Sequence, residues 1–581
     1  MAVSDLSARA TAAFLGAAVG DALGWPQENR SSNADRKAPA PAMSFRSWLR
    51  RSGGRFSPYE EEILAGSYSD DTQMLCAVAR SLQRGPSWYE WLTAVELPAF
   101  VVYQRGAGRA LLAACRAWTA GVPPWEPHKS TSPEAYFNAG GNGGAMRILP
   151  HVIAAAAEGG SLDQDRLFRD VSATHGHPRA ALGAAVQAAA LHGGLNVGRT
   201  LGYGELIEVL LDGTDEWGSL PQVEHMPKGW LSAWNMAVSV GFEEVWRNTV
   251  DEMTGLLGKA QKGMSAGALA SEHETLRELG CTGTKTVGSG TVSAAGAVFL
   301  ASRSAANPRA GLLSAAYLPK ADTDTLASMT GSILGAFAGQ EWMAPLDGQV
   351  QDSDYITWMA LAALEPTRVT GEASSRIDKG ATTRFVRSLA DARPGQVVEF
   401  LDGRTLTVEN RESMRSKTES TTVERVRLRA SDGQTLDAVR LSRRSRPPTS
   451  EAKQPLPSME EGFGAGTSPV VLRVGVKVSV VHLDRMRRFY EELVGMSPTR
   501  VGGTFVTLND ILALSTSEDT EMSTPSRVSI YLDVLNIQVL WRRIEDNGIS
   551  VVDPLDGEMG RRRFRCLDPE GNLLEVRETI G

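Results

Sequence analysis

Cysteine is scarce and scattered. Cys76, Cys115, Cys281 and Cys566 lie far apart and form no CxxC pair. That spacing suggests neither a zinc knuckle nor a disulfide framework. Buried, reduced thiols in a cytosolic protein are the expectation. Long apolar runs are missing too: no stretch of about 18 apolar residues exists, so no membrane span is expected. The apolar patch near the N-terminus is preceded by Asp5, interrupted by Asp21 and lacks a basic flank, so no signal peptide is expected. An excess of positive charge is also lacking. Lys and Arg number 60 against 68 Asp and Glu, a net charge of −8, which argues against a global electrostatic grip on nucleic acid.

What is present is globular. Hydrophobic residues make up 42% and charged residues 22% of 581 residues, enough for about three or four domains, each with a sizeable core. Residues 1–365 read as mostly helical, with apolar residues at three- and four-residue spacing in LSARATAAFLGAAVGDAL, DDTQMLCAVARSLQ and DTLASMTGSILGAFAGQ. Small residues dominate these faces, which lets helices approach closely. The expectation is one compact all-α domain, interrupted near 26–66 and 193–280.

Over 366–446 apolar and polar residues alternate around Asp-Gly turns, which predicts β-hairpins and a small basic β-rich domain. Between 366 and 450, 17 Lys and Arg stand against 11 Asp and Glu. That local excess fits a solvated strand face or a nucleic-acid or phosphate-rich partner. Residues 447–468, rich in Pro, Ser, Gly and Glu, read as a linker. Residues 469–581 read as a βαβββ unit repeated twice, an α+β module. The predicted fold class is therefore multidomain: all-α, then β-rich, then α+β.

The segment Ser69-Asp70-Asp71-Thr72 places two carboxylates directly before an amphipathic helix. An N-cap with acidic first-turn residues explains such a pattern by itself. Yet Asp322-Thr323-Asp324-Thr325 repeats the device before a second helix of small residues. Brought together, the two helix starts gather four carboxylates and several hydroxyls. Like charges at that density are costly unless a hard cation neutralises them. An all-oxygen set without His or Cys suits Mg²⁺, Mn²⁺ or Ca²⁺ rather than zinc, and two such ions can activate a water and polarise a substrate oxygen. Gly140 to Arg147 form a glycine-rich loop running into a helix, able to present backbone N–H groups to an anion. The stretch Gly20-Asp21 to Glu28 ends a helix and leaves Glu28 in a loop.

Read in order, GDALGxPxE, SDDTxM, GNGxxMR, THGHPRA and DTDTxAxxxGxxxGAxxG closely resemble the ADP-ribosylglycohydrolase family, over about residues 8 to 365. The resemblance implies an all-α fold with a binuclear Mg²⁺ or Mn²⁺ centre. It implies hydrolysis of the glycosidic bond between ADP-ribose and an acceptor. By the same resemblance Ser69, Asp70, Asp71, Asp322, Asp324 and Thr325 are the metal ligands, Ser69 standing where the family often has Thr. Glu28, Asp70, Asp71 and Asp324 are the catalytic candidates. Asn142, Gly143 and Gly144 match the loop that cradles diphosphate and ribose, and Met146 continues it, whereas Arg147 reads as structural. His175 matches a residue on the adenosine-ribose side, with His177 as its neighbouring alternative.

Residues 469–579 resemble the glyoxalase/bleomycin-resistance superfamily through Arg488-Phe489-Tyr490, Gly495 and the closing run Asp568 to Glu575. That resemblance implies a metal held by His and Glu. Here Gly475 and Ser529 occupy the places that usually carry His, His482 lies at a strand–helix turn, and only Glu575 is placed as a ligand. A metal-free binding cup, like those of antibiotic-sequestering members, is the expectation, with homodimerisation through this module. The expected partner of the whole chain is an ADP-ribosylated protein or other acceptor, in the cytoplasm and away from membranes. Two alternatives stand beside this reading. One is a non-enzymatic, small-molecule-binding or resistance protein acting through the C-terminal cup. The other is a hydrolase directed to ADP-ribosylated nucleic acid by the basic β segment.

Overall fold

The structure is a computed structural model. It describes residues 3–443, apart from 29–39, 54–56, 198, 200–201, 268–270, 366–375 and 418–420, and most of the strands and helices between 470 and 578. The chain divides into two compact units, Met1–Pro447 and Pro448–Gly581.

The first unit opens with α1 (Val3–Glu28), followed by a hairpin of β1 (Trp48–Ser52) and β2 (Tyr59–Ile63). Its principal later helices are α2 (Asp70–Leu82), α3 (Arg109–Thr119), α4 (Pro178–Val197), α5 (Phe242–Ser265), α6 (Gly290–Arg303), α7 (Thr323–Ala338) and α8 (Ser353–Ala363). The region is helical, as its periodicity predicts. Helices α1 and α7 make the closest packing. A Cβ at Gly16, Gly20 or Gly24 would stand 2.2, 2.1 or 2.1 Å from the carbonyl oxygens of Gly331, Ala327 and Thr323. These glycines lie four apart and so share one helix face. Only hydrogen at each Cα permits the two backbones to touch.

The basic segment departs from the expectation of a separate domain. Its strands β3 (Val397–Glu399), β4 (Thr405–Ser416), β5 (Thr421–Ala430) and β6 (Thr435–Arg443) lie within the first compact unit. They share a six-stranded sheet with the early hairpin, in the order β1-β2-β4-β5-β6, with β3 also on β4. The junction is antiparallel, pairing Tyr59 with Ser416 and Glu60 with Arg415. Burial explains the integration: Gln434 and Leu436, at the start of β6, are 0% and 1% exposed. Much of the positive charge on strands β4 to β6 is met by carboxylates of the same unit. Arg404 pairs with Asp402 and Asp432, Arg411 and Arg440 with Glu424, Arg425 with Glu412, Arg427 with Asp437, and Arg429 with Asp352 and Glu409.

The second unit contains β7 (Val470–Arg473), β8 (Val476–Val480), α9 (Leu483–Arg488), β9 (Pro498–Val501), β10 (Phe505–Leu508), β11 (Leu512–Thr516), β12 (Ser529–Leu535), α10 (Ile537–Asp546), β13 (Val551–Asp556), β14 (Arg563–Leu567) and β15 (Leu573–Glu578). Two βαβββ repeats are present, β8 to β11 and β12 to β15. Two strands precede the first helix of this unit: β7 joins the sheet β13-β14-β15-β12-β7 and β8 the sheet β8-β11-β10-β9. Met486, Tyr490, Leu532, Leu540, Phe564 and Val576 form the core of this unit. The linker 447–468, Gly475, His482 and Gly495 lie outside the described residues. All four cysteines are buried and unpaired. Among the described residues no helix is long and apolar enough to cross a membrane.

Gly20→Ala tests the α1–α7 contact. Alanine gains up to about 1 kcal/mol of helix propensity, but forcing the two backbones apart costs about 1–3 kcal/mol. Denaturant unfolding should show a net loss of stability. A gain would contradict the contact.

Candidate active site

The site is assembled around Asp21, which is fully buried inside α1. Its carboxylate accepts hydrogen bonds from Ser69 N at 2.9 Å, Thr72 N at 3.0 Å and Thr72 Oγ1 at 2.7 Å. A helix start carries N–H groups with no intrahelical partner, and Asp21 satisfies them from a neighbouring helix. Ser69 is also the N-cap of α2, its Oγ accepting from Asp71 N at 3.3 Å. Asp70 and Asp71 are thereby fixed on the first turn. On the other side Thr323 Oγ1 donates to the Gly24 carbonyl at 2.9 Å, locking the start of α7 to α1. The two acidic helix starts meet where Thr325 Oγ1 donates to Asp71 Oδ2 at 3.3 Å. Glu28 is not in a loop, as its glycine-flanked sequence predicts, but is the last residue of α1. Glu28, Asp322 and Asp324 each offer a carboxylate oxygen, all within 4.8 Å of one another.

These carboxylates open onto a cavity of about 760 Å³. Burial, and then repulsion from neighbouring carboxylates, pushes the carboxyls of Asp70, Asp71 and Asp324 well above their ordinary range. Glu28 is pushed up to about 7, by burial first and then by Asp322. Asp71 Oδ1 is buried with no hydrogen-bond partner. A buried acceptor left unmatched is costly. The donor set is all oxygen, combining carboxylates with the hydroxyls of Ser69 and Thr325, and it fits a hard divalent cation.

The opposite wall holds the glycine-rich loop. Asn142 Nδ2 donates to Asp322 Oδ2 at 2.9 Å and to Ser293 Oγ at 3.0 Å, tying the loop to the acidic cluster. Gly143 lies on the His175 ring, where a Cβ would come within 2.7 Å of Cε1. The His175 Nδ1 sits 2.8 Å from Thr174 Oγ1. Burial pulls the imidazole down to about 3, so it is neutral near neutral pH. Met146 also lines the cavity. Gly144 does not. It packs on Val171, whose Cγ2 a Cβ would approach to 2.7 Å. Arg147 is fully buried and structural. It bonds Asp170 at 2.8 Å, the Gly143 carbonyl at 3.2 Å and Thr174 Oγ1 at 3.0 Å. The His177 ring packs on Gly140 and its Nδ1 accepts from Arg179 N at 3.1 Å, off the cavity wall.

Sequence reasoning passed over two residues. Asp21 left a signal: it is the charge that interrupts an apolar helix. Arg109 left none. It is exposed at the first position of α3 and is the one Lys or Arg among the described residues lining the cavity. In the second unit Tyr490 OH donates to Asp568 Oδ2 at 3.1 Å, joining the two motif segments. Glu575 Oε1 accepts from Arg577 Nε at 2.7 Å.

The family model described as ADP-ribosylglycohydrolase matches residues 2–373. The chain belongs to that family. Membership supports a glycosyl hydrolase that reverses ADP-ribosylation. A second model, the Glyoxalase/Bleomycin resistance protein/Dioxygenase superfamily, matches residues 473–576. A solved ADP-ribosylglycohydrolase-related protein complex is similar at 18% identity, covering 63% of this chain and 100% of that one with a TM-score of 0.38. TioX from Micromonospora sp. ML1 is 16% identical over 19% of this chain and 99% of its own, with a TM-score of 0.17. TnmS3, an antibiotic binding protein from Streptomyces sp. CB03234, is 17% identical over 19% and 98%, with a TM-score of 0.16. No curated protein matches the chain.

The acidic cluster makes stability depend on pH. A carboxyl raised in the fold contributes stability below its unfolded value, and that contribution is lost as pH rises through the folded value. For Glu28 this runs from 4.5 to about 7. The chelator-treated chain should therefore melt at falling temperature between about pH 5 and about pH 8, and Mg²⁺ or Mn²⁺ should remove that fall. A melting temperature that neither pH nor cation moves contradicts the cluster.

Proposed function

We propose that the chain hydrolyses the glycosidic bond between ADP-ribose and an acceptor at a binuclear Mg²⁺ or Mn²⁺ site. The observation that carries this reading is the meeting of two acidic helix starts around a buried, unpartnered carboxylate oxygen of Asp71. Ser69, Asp70, Asp71, Asp322, Asp324 and Thr325 would hold the ions, with Ser69 also orienting Asp71. Bound there, divalent cations supply positive charge that offsets the carboxylates and polarises substrate oxygens.

The chain's own residues account for the remaining roles. Asp70, Asp71 and Asp324 place negative charge where the anomeric carbon becomes cationic as the acceptor leaves. Glu28, with a carboxyl near 7, can both hold and release a proton near neutral pH, which suits proton transfer to or from water. Asn142 and Gly143 line the cavity where diphosphate and ribose would lie, with Asn142 held in place by its N–H on the Gly288 carbonyl at 2.9 Å. Met146 and neutral His175 flank them. Arg109 is the residue we assign to the negative charge of the diphosphate. A nucleic-acid acceptor is the second reading, and the ion pairs of six β-segment arginines lower the free positive charge that would support it.

The test is release of free ADP-ribose, with and without cation, from arginine-linked, serine-linked, nucleic-acid-linked and acetylated substrates. Cation-dependent release from one of them is the expected result and names the acceptor. Silence from the folded, cation-loaded chain would favour action through the second unit. Asp71→Asn and Asp324→Asn should each lower turnover by at least about a hundredfold while the helical circular dichroism is unchanged. Arg109→Ala should raise KM about tenfold with kcat little changed, the cost of one charge-assisted contact. An unchanged KM removes Arg109 from the binding surface.

A further inference from the structure

We propose that strand β6 braces the acidic site from behind, with Thr435 and Asp437 as positioning residues for the two chain segments that flank Asp70. The inference rests on the reading of that cluster as a cation site. Strand β6 lies outside residues 2–373, the span matched to the hydrolase family.

Thr435 and Asp437 are two residues apart on one strand and so share a face. Each is 4% exposed. Thr435 N and Oγ1 donate to Asp352, at 2.7 Å and 2.6 Å. Asp352 Oδ2 also accepts from Tyr68 OH at 2.8 Å. Tyr68 directly precedes the Ser69-Asp70-Asp71 turn, so Thr435, together with Arg429 Nη1 on the same carboxylate at 2.8 Å, holds that turn.

Asp437 reaches the other flank. Its carboxylate pairs with Arg427 through two contacts of 2.9 Å and lies 3.1 Å from Arg105 Nη1. Arg105 is buried, its N donates to Gln73 Oε1 on α2 at 3.1 Å, and its guanidinium sits 5.4 Å from the ring centre of Trp25. The next residue, Gly106, packs where a Cβ would come within 3.0 Å of Asp70 Oδ1. Trp25 lies three residues before Glu28 on α1. Without Asp437 the Arg105 charge would be buried next to this loop with no carboxylate in contact, an arrangement that forces local rearrangement. One strand thus reaches both segments that flank Asp70, by hydrogen bonds toward Tyr68 and by an ion pair toward Arg105.

The experiment measures Mn²⁺ affinity by calorimetry on the full chain, with kcat and KM where turnover is found. Thr435→Val and Asp437→Asn should weaken Mn²⁺ binding by about tenfold or more, the usual cost of losing support behind a metal ligand. Thr435→Ser, which keeps the hydroxyl, should restore binding to near wild type. Val423→Ala, in the small cluster with Tyr59 and Met414 on the same sheet, should lower the melting temperature and leave Mn²⁺ affinity unchanged. Tight binding by Thr435→Val and Asp437→Asn overturns the brace, as does equal weakening by Val423→Ala. If Asp437→Asn fails to fold, the Thr435 pair still decides the matter. A wild-type chain that binds no Mn²⁺ overturns the cation reading, and the brace with it.

Discussion

Backbone contact between α1 and α7 sets the geometry of the site. Three glycines of α1 meet carbonyls of α7 at distances that exclude any side chain. The closest approach therefore falls along the whole shared face, and Gly24 seats directly on the residue after Asp322. Glu28 at the end of one helix and Asp322 and Asp324 at the start of the other are then held within reach of a single ion. Larger residues at those glycines would part the helices and scatter the carboxylates. The small-residue composition of the helical unit is thus a requirement of the site as much as of the core.

Two buried acidic networks in this unit are resolved in different ways. Asp170 is matched by Arg147 and His151 in direct contacts, so its charge is satisfied within the fold. Asp21 is met by backbone N–H groups and a hydroxyl. The carboxylates facing the cavity are met only in part, by Asn142 on Asp322 and by Thr325 on Asp71, while Asp71 Oδ1 has no donor, and burial first, then mutual repulsion, holds the protons of Asp70, Asp71 and Asp324 more tightly. Charge left unmatched in one place, beside a fold that matches it elsewhere, marks a site kept for something outside the chain.

Much of this was legible in the sequence. Acidic and hydroxyl residues before two helices of small residues announced the cluster, because helix-start chemistry is local. The glycine-rich loop, the paired βαβββ repeats and the helical character of the first unit were read for the same reason. What could not be read depends on long-range pairing. The five-residue strands β1 and β2 are short and charged, so their alternation does not stand out, and their partner β4 lies some 350 residues later. The basic composition of 366–446 suggested an exposed face because composition cannot show that six of its arginines have carboxylates opposite them. Glu28 looked like a loop residue because a proline and glycines precede it, yet packing on α7 carries α1 through Pro26 to Glu28. Gly144 looked like part of the cradle because its motif is contiguous, but a three-residue turn at Ala145–Arg147 directs it to Val171.

We propose that the gathered carboxylates are a two-cation site. Electron paramagnetic resonance of the chain titrated with Mn²⁺ reads this out, since two ions held close together would couple their spins. Two bound Mn²⁺ per chain are expected, with a coupled signal that appears as the second ion binds. A chain that binds none, or only isolated ions with uncoupled spectra, would contradict it.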